Sequence, residues 1–383
     1  MTFEFAAPTR IIFGEGKLRE AGALAAGLGT RALVVEGMSG RAGPLRDILH
    51  AHRIATVALR VPGEPTITLV EQGVELARAE GSDLVVALGG GSVIDAAKAV
   101  AALLTNGGAL RDYLEVVGAG RPLTARSAPL IAIPTTAGTG AEATRNAVLM
   151  VEDQGVKVSL RSPLMLPAVA LVDPTLTYTL PPALTASTGL DALTQCIEPF
   201  VTPQSNPLTD ALAREGMRRA AGALRRAFQD GDDAEARRDM AVASLCGGLA
   251  LANAKLGAVH GFAAPLGGMF PIPHGTACAR LLPPVVAVNV RALRARAPTS
   301  PALARYDEIA CILTGRADAR AVDGAAWLRD LVEELAVPPL SAYGVSESAV
   351  PVVIEKARRA SSMQGNPIVL TDAELAEALR AAL

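Results

Sequence analysis

Histidine, cysteine and aromatic residues are all scarce in this chain. Four histidines and four cysteines occur in 383 residues, and aromatic residues make up 3% of the total. So few aromatic side chains argue against a stacking surface for single-stranded nucleic acid. Lys and Arg number 36 against 38 for Asp and Glu, which gives a formal net charge of -2. Without a basic excess, nucleic acid is not an expected partner.

The sequence also lacks the signals of a membrane or secreted protein. It contains no run of about twenty uncharged apolar residues, the length that a membrane-spanning helix needs. The N-terminus has no basic segment followed by an apolar run, so no signal peptide is expected. The cysteines are widely spaced in apolar surroundings, which predicts buried thiols in a reducing cytoplasm rather than disulfides. They are Cys196, Cys246, Cys278 and Cys311.

Apolar residues are abundant, and their pattern divides the chain into two parts. Hydrophobic residues make up 50% and charged residues 19%, as in a globular protein long enough for two domains. The first part alternates β-branched runs with helical patterns, which predicts a parallel sheet covered by helices. Strands are predicted at Ala32–Glu36, Ala55–Val61, Asp83–Leu88, Leu130–Pro134 and Ala168–Asp173. Helices are predicted at Gly16–Ala26, Pro44–His52, Thr66–Glu80 and Ser92–Leu104.

The pattern changes after Asp173-Pro174. From Pro182 onward the chain consists of helical segments rich in Ala, Leu, Arg and Glu, such as Pro207–Phe228 and Asp233–Asn253. The sequence therefore predicts an α/β domain over residues 1–180 and an all-helical domain over 181–383.

Two of the four histidines lie in segments interrupted by glycine and proline, GAVHG around His260 and PIPHG around His274. Upstream, Asp191 and Gln195 are four residues apart, which places both side chains on one face of a helix. A carboxylate and two imidazoles suit Zn²⁺ or Fe²⁺, and an amide oxygen is a weaker fourth ligand. Histidines near turns and an aspartate early in a helix are also ordinary structural residues. Both interpretations are open at this point.

A glycine-rich turn, Gly89-Gly-Gly-Ser92, follows the strand that ends at Leu88 and leads into a predicted helix. Glycines allow a pyrophosphate to approach the backbone, and a helix N-terminus presents free amide hydrogens to it. Ser92 is a candidate helix N-cap or phosphate donor. The turn matches neither the Walker loop nor the GxGxxG fingerprint. An ordinary strand-to-helix turn is the alternative.

Several motifs together resemble the iron-containing, group III alcohol dehydrogenases, whose superfamily also includes glycerol dehydrogenases and dehydroquinate synthases. The motifs are GGGSVIDAAK (89–98), IPTTAGTGAE (133–142), LVDP (171–174), GLDAL (189–193), PLGG (265–268) and PHG (273–275). In this order and spacing they cover nearly the whole chain. The resemblance implies a Rossmann-like N-terminal domain and a helical C-terminal domain. It also implies a cleft in which a nicotinamide cofactor faces a metal-bound alcohol or carbonyl.

The resemblance implies a metal site with ligands at Asp191, Gln195, His260 and His274. Of these, Asp191, His260 and His274 are the implied catalytic residues. Gln195 departs from the family pattern, which normally has histidine at this position. Ala264 departs as well, because many members have a histidine there that is thought to assist a proton relay.

Cofactor contacts are implied for a set of residues in the α/β domain, namely Gly90, Gly91, Ser92, Asp95, Thr135, Thr136 and Lys157. Glu64 stands where many members have asparagine. The choice between NAD and NADP depends on the turn after the strand Ala32–Glu36, where NAD users commonly have aspartate and NADP users Gly-x-Ser. This chain has Gly37-Met-Ser39, which slightly favours NADP, although Glu36 would repel a 2′-phosphate if it pointed inward.

These features predict an NAD(P)-dependent oxidoreductase that interconverts a small alcohol and its aldehyde or ketone, with a divalent cation as Lewis acid. One alternative is a metal-free reductase like maleylacetate reductase, although Asp191 would repel an anionic substrate. A second is a non-catalytic nucleotide-binding protein with a decayed metal site. A lyase of the dehydroquinate synthase kind is disfavoured, because its phosphorylated substrate needs many basic residues. The resemblance also suggests a homodimer.

Overall fold

A six-stranded parallel sheet forms the centre of the α/β unit. The computed structural model describes residues 2–115 and 117–383. Strand order is β1-β8-β5-β4-β2-β3, and a separate antiparallel hairpin joins β6 to β7. The strands are β1 (Arg10–Phe13), β2 (Arg31–Gly37), β3 (Ala55–Val61), β4 (Leu84–Gly89), β5 (Leu130–Pro134), β6 (Asn146–Val151), β7 (Val156–Arg161) and β8 (Val169–Val172).

Helices cover both faces of this sheet, so its central strands are continuous apolar runs. In β2, Leu33 and Val35 face one hydrophobic core while Ala32 and Val34 face another on the opposite side. The helices of this unit are α1 (Ala21–Ala26), α2 (Gly43–Ala51), α3 (Ile67–Ala79) and α4 (Gly91–Thr105).

The chain reverses its direction across the sheet at β2. This strand pairs with β3 on one side and with β4 on the other. In open α/β sheets, ligands bind beyond the carboxyl ends of the strands at such a point. Glu36 of β2 is paired with Leu88, and Gly89 of β4 with Pro134 of β5. The turns that follow these three strands therefore leave the sheet at the same edge.

The second unit is helical. It comprises residues 2–5, 137–139 and 178–383, while 6–136 and 140–177 form the α/β unit. Over residues 182–383, all of which the structure describes, no strand occurs. Its helices are α5 (Pro182–Val201), α6 (Pro207–Gln229), α7 (Ala234–Asn253), α8 (Ala258–Met269), α9 (His274–Arg296), α10 (Pro301–Thr314), α11 (Ala321–Glu334), α12 (Val350–Arg359) and α13 (Asp372–Arg380).

The glycine and proline signals near the two histidines mark helix starts. Gly257 caps α8 and Pro273 caps α9. Proline fits before a helix because its fixed φ suits the entry and its missing N–H is not needed there. His260 is therefore the third residue of α8, and His274 is the first residue of α9.

The predicted fold class is confirmed, and all five predicted strands are present within one or two residues of their predicted bounds. The segment predicted as the helix Gly16–Ala26 is divided, because Lys17–Glu20 is a 3-10 turn that precedes α1. The sequence analysis missed β1 and the β6–β7 hairpin. Strand β1 has four residues at the sheet edge, none of them fully buried, so its apolar pattern is weak.

All four cysteines are free thiols, but only Cys196, Cys246 and Cys278 are buried. Cys311 is half-exposed, so the prediction that it is buried was wrong. Among the described residues, no single helix is long and apolar enough to cross a membrane. Helices α7 and α8 reach that length and composition only as a pair, across a bend of 96°.

Candidate functional site

Helix α5 carries three buried polar side chains on one face. Asp191, Gln195 and Glu198 are only 1%, 2% and 5% exposed. Their spacing of four and then three residues places them along one side of the helix. Polar groups buried this deeply are costly unless they bind a partner. The groups around each of these side chains therefore indicate what this face of the helix binds.

Asp191, His260, His274 and Cys278 bring four potential ligand atoms together. Asp191 Oδ1 lies 3.4 Å from His260 Nε2 and 3.7 Å from His274 Nε2. The sulphur of Cys278 lies 3.8 Å and 3.6 Å from the same two nitrogens. All four atoms are within 4.8 Å of one another. The structure thus joins three of the residues predicted from sequence and adds a cysteine that was not predicted.

The oxygen Asp191 Oδ1 is buried without a hydrogen-bond partner among the described residues. His260 is close enough for an ion pair, but the two groups are not aligned for a hydrogen bond. An unsatisfied buried carboxylate oxygen is unfavourable, and more so for a charged group than for a neutral one. A divalent cation satisfies such an oxygen, and carboxylate and imidazole are ligands that Zn²⁺ and Fe²⁺ accept. The residues present therefore fit a metal ion.

The pKa values of Asp191 and of the two histidines are all shifted by their neighbours in the cluster. Burial by itself raises the pKa of Asp191, but the imidazoles of His274 and His260 outweigh burial and hold that pKa below its usual value. Burial lowers the pKa of both histidines, but the Cys278 and Asp191 side chains more than reverse this. As a result, the pKa of His260 lies well above its usual range. The surroundings of both histidines thus favour positive charge at this point.

Glu198 orients the His260 ring from its Nδ1 side, opposite the cluster. Its Oε2 lies 2.7 Å from His260 Nδ1, and its Oε1 accepts a hydrogen bond from the Val259 N–H at 2.7 Å. A carboxylate on one ring nitrogen sets the tautomer, which leaves the other nitrogen free to bind a metal. The sequence analysis assigned no role to Glu198. Its position seven residues after Asp191 on the same helical face is the signal that could have identified it.

Replacing Glu198 with glutamine is expected to weaken metal binding by about 10- to 100-fold, the usual cost of losing an outer-shell partner. Glutamine keeps the size of the side chain but has one acceptor oxygen, so either Val259 N–H or His260 Nδ1 loses its partner. Competition with a chelator measures the change in affinity. Glu215→Gln on the exposed surface of α6 is the control. Equal affinity in both variants would show that Glu198 is not needed to orient the ligand.

Gln195 lies one turn after Asp191, and its amide nitrogen donates a hydrogen bond to the Gly138 carbonyl at 3.1 Å. Its role as a metal ligand stays a prediction.

Ala264, in α8, is half-exposed and has no side chain that can carry a proton. Nothing replaces the family's histidine at that position.

The predicted cofactor residues collect at the carboxyl edge of the sheet. Gly37 ends β2, Gly89 ends β4, and Thr135 follows β5. Gly90 is the N-cap of α4, and no side chain forms a capping hydrogen bond there. The prediction that Ser92 is the N-cap was therefore wrong. Ser92 is instead the second residue of the helix, and its role as a phosphate donor stays a prediction. Ser39, Gly91 and Thr136 follow in the same turns.

Glycine stands at positions 89 and 90 of this turn for two different physical reasons. A Cβ at Gly89 would lie 2.5 Å from a methyl group of Val93, so glycine is required there for strand and helix to pack. A Cβ at Gly90 would meet only Thr136, at 3.4 Å. Packing therefore does not require glycine at Gly90, which is consistent with a close approach of a ligand to the backbone.

Asp95 and Lys157, two further predicted cofactor residues, have partners within the protein. Asp95 accepts hydrogen bonds from Lys98 Nζ at 3.3 Å and from the Val148 N–H at 3.1 Å. Lys157 forms an ion pair with Glu64 at 2.8 Å. Burial raises the pKa of Asp95 and lowers that of Lys98. Asp95 is thus part of a buried structural pair, and the cofactor roles of Asp95 and Lys157 stay predictions.

Glu36 at the end of β2 is buried between two arginines. Its carboxylate binds Arg46 at 2.7 Å and Arg60 at 3.4 Å. Both guanidinium groups are partly exposed while the carboxylate is 3% exposed. The local charge of this turn is therefore net positive, despite the glutamate that the sequence shows.

Comparison with known proteins identifies the family. Residues 8–174 match the model of the iron-containing alcohol dehydrogenases, and residues 185–383 match the C-terminal domain of the Fe-containing alcohol dehydrogenase family. Choline dehydrogenase of Bacillus subtilis is 36% identical over 96% of this chain and 91% of its own length. The crystal structure of a 1,3-propanediol oxidoreductase superposes with a TM-score of 0.92 at 34% identity, covering 100% of both chains.

A second similar structure is sulfoacetaldehyde reductase from Bifidobacterium kashiwanohense in complex with NAD+. Its TM-score is 0.87 at 30% identity, covering 100% of this chain and 99% of that one. The chain belongs to the iron-containing alcohol dehydrogenase family. It is an enzyme, an oxidoreductase that acts on alcohols, and its family implies a metal ion and NAD(H) binding. The comparisons do not favour the maleylacetate reductase-like or non-catalytic alternatives.

Proposed function

We propose that the protein oxidises a small alcohol, or reduces the corresponding aldehyde or ketone, at a divalent cation held by Asp191, His260 and His274. The observation that carries this proposal is the unpartnered Asp191 Oδ1, buried between two imidazole nitrogens at 3.4 and 3.7 Å. A hydrogen-bonded structural cluster would leave no buried oxygen unsatisfied. The similarity to proteins named choline dehydrogenase and 1,3-propanediol oxidoreductase supports a small hydroxyl compound as substrate.

The nicotinamide cofactor is placed by this proposal at the carboxyl edge of the sheet. Its pyrophosphate would lie against Gly90, Gly91 and Ser92, where the first turn of α4 presents backbone N–H groups. The point between β2 and β4 at which the chain reverses supports this assignment. Thr135 and Thr136 would contact the cofactor from the neighbouring turn after β5.

The reaction needs little acid–base chemistry from side chains. Alcohol oxidation moves a hydride from the carbinol carbon to the nicotinamide and releases the hydroxyl proton. A cation in this site supplies Lewis-acid chemistry, which stabilises negative charge on the reacting oxygen. Asp191 and the two histidines would hold and orient the cation, and Glu198 holds the His260 ring. Ala264 carries no proton, so water or the cofactor ribose would carry the proton away.

NADP is the cofactor that the turn after β2 supports. Gly37 and Ser39 leave space for a 2′-phosphate at the position where NAD users have an aspartate that binds the ribose diol. Glu36, which would otherwise repel a 2′-phosphate, is neutralised by Arg46 and Arg60. The pair of arginines adds a net positive charge near the site of that phosphate.

Metal depletion and reconstitution test the function directly. The protein is treated with chelator, then assayed with a panel of small alcohols and aldehydes and both nicotinamides before and after addition of Zn²⁺ or Fe²⁺. We expect activity to be lost and then restored by the cation. Activity that is indifferent to chelator, in a protein with negligible metal, would instead favour the metal-free reductase.

Replacing Gly37 with aspartate is expected to shift the cofactor preference towards NAD by about 10-fold or more. The new carboxylate would accept hydrogen bonds from the ribose diol and repel a 2′-phosphate. A Cβ at Gly37 meets only a methyl group of Val93, at 3.8 Å, so the fold should tolerate it. The ratio of kcat/KM for the two cofactors measures the shift. A parent enzyme that already prefers NAD tenfold would contradict this interpretation of the turn.

A further inference from the structure

We infer that Cys278, and not Gln195, provides the fourth protein ligand of the metal site. This inference rests on the proposed function, which requires a cation at Asp191, His260 and His274. It assigns a sulphur ligand to a site whose family pattern has histidine at the position of Gln195. The evidence is the position of the thiol, the separations of the four ligand atoms and the hydrogen bond made by Gln195.

Cys278 lies one helical turn after His274 in α9, so the two side chains are on the same face of that helix. The cysteine is fully buried. Its sulphur is directed at the cluster, because it lies 3.8 Å from His260 Nε2 and 3.6 Å from His274 Nε2. A buried cysteine that only fills space would contact apolar groups instead.

Four of the six separations among these atoms are close to those of a tetrahedral site. With metal–nitrogen and metal–oxygen bonds of about 2.0 Å and a metal–sulphur bond of about 2.3 Å, neighbouring ligand atoms lie about 3.3 to 3.6 Å apart. The four separations given above are 3.4, 3.6, 3.7 and 3.8 Å. Small movements of the side chains would bring all four atoms into bonding distance of one ion. No backbone rearrangement is needed.

Gln195 is less suited to bind the ion. Its amide nitrogen is held by the Gly138 carbonyl at 3.1 Å, and ligation through its oxygen gives a weaker bond than an imidazole. The chain therefore has glutamine where the family pattern has histidine on α5, and a thiol beside the cluster on α9. A thiolate restores a strong donor to the site, and its charge is opposite to that of the cation.

A sulphur ligand also changes which metal the site prefers. Thiolate and imidazole together favour Zn²⁺ over harder ions, so we infer that Zn²⁺ binds more tightly here than Mg²⁺ or Mn²⁺. Some catalytic zinc sites expand from four to five ligands in the transition state. A fourth protein ligand is thus compatible with substrate binding at the same ion.

Cobalt substitution and X-ray absorption detect the sulphur without using activity. The wild-type protein and the variants Cys278→Ala, Cys278→Ser and Gln195→Ala are loaded with Co²⁺ or Zn²⁺. Cys246→Ala is the matched control, since Cys246 is a buried thiol of the same helical unit outside the cluster. Thermal unfolding of each apoprotein shows whether it is folded.

We expect a thiolate-to-cobalt charge-transfer band in wild type, Cys246→Ala and Gln195→Ala, and none in either Cys278 variant. Zinc absorption data should show one sulphur at about 2.3 Å in the same three proteins. Cys278→Ala should lower zinc affinity by at least about 10-fold, while Gln195→Ala changes it little.

Metal that binds without the charge-transfer band, with affinity lost in Gln195→Ala but not in Cys278→Ala, would overturn the cysteine assignment and leave the proposed function standing. If neither Co²⁺ nor Zn²⁺ binds any of the five proteins and turnover is indifferent to chelator, the proposed function and this inference both fail. The two failures are therefore distinguishable.

Discussion

His274→Ala is expected to remove the metal from the purified protein and to lower kcat/KM by at least about 100-fold, the scale on which one electrostatic group contributes to a transition state. The imidazole supplies one of the three metal ligands in the proposed function. Its side chain is 35% exposed at the start of α9, so truncation should not unfold the protein. Elemental analysis and steady-state kinetics on the same preparation measure both effects.

His50→Ala is the matched control for this variant. His50 is an exposed histidine of α2 that contacts Thr56 and lies in the α/β unit. It should keep the metal content and turnover of the parent protein. Full metal occupancy in His274→Ala, or an equal loss of turnover in both variants, would contradict the assigned ligand.

Gly90→Val is expected to raise the Kd for the nicotinamide cofactor by at least about 10-fold, which corresponds to about 1.4 kcal/mol of binding free energy. A branched side chain would occupy the space in which the pyrophosphate approaches the backbone. The backbone at Gly90 has φ -76° and ψ -171°, which valine adopts without strain. Fluorescence titration with NADH and NADPH measures the affinity, and metal content should stay at the parent level.

Gly107→Val is the control for the glycine turn. A Cβ at Gly107 meets nothing within 4 Å, and the residue is exposed in the same α/β unit. Unaltered cofactor affinity in a folded Gly90→Val protein would remove the phosphate-binding assignment. Together, His274→Ala and Gly90→Val distinguish the two proposed roles, because the first should lose metal and the second should lose cofactor affinity.

Much of the fold could be predicted from the sequence because the relevant signals are local. Strands β4 and β5 are continuously apolar, as a strand buried on both faces requires, and β2 has an apolar run from Ala32 to Val35. Each of the three strands ends at a glycine or a proline. Helix α6 shows helical periodicity along its length, and the good caps Asn206 and Asp233 directly precede α6 and α7. Strand β1 was missed because a four-residue edge strand has too few buried positions to show a period.

The candidate site could be predicted only in part. Asp191, His260 and His274 stand out because histidine is rare and because their motifs resemble those of a known family. Glu198 was missed although it follows Asp191 by seven residues, since the spacing alone does not show which face of α5 meets His260. Likewise, Cys278 follows His274 by one turn, but a cysteine in an apolar helix usually has only a packing role.

The sequence by itself thus determined the α/β and helical halves, the glycine-rich turn and three residues that lie together in the structure, Asp191, His260 and His274, because each of these depends on neighbouring residues or on a recognisable motif. Only the tertiary structure decided that Glu36 is neutralised by two arginines and that Gln195 donates to Gly138. It also brings the sulphur of Cys278 close to the potential ligand atoms of Asp191, His260 and His274. These contacts join side chains from different elements, and their distances are set by how helices and strands pack, which no local pattern encodes.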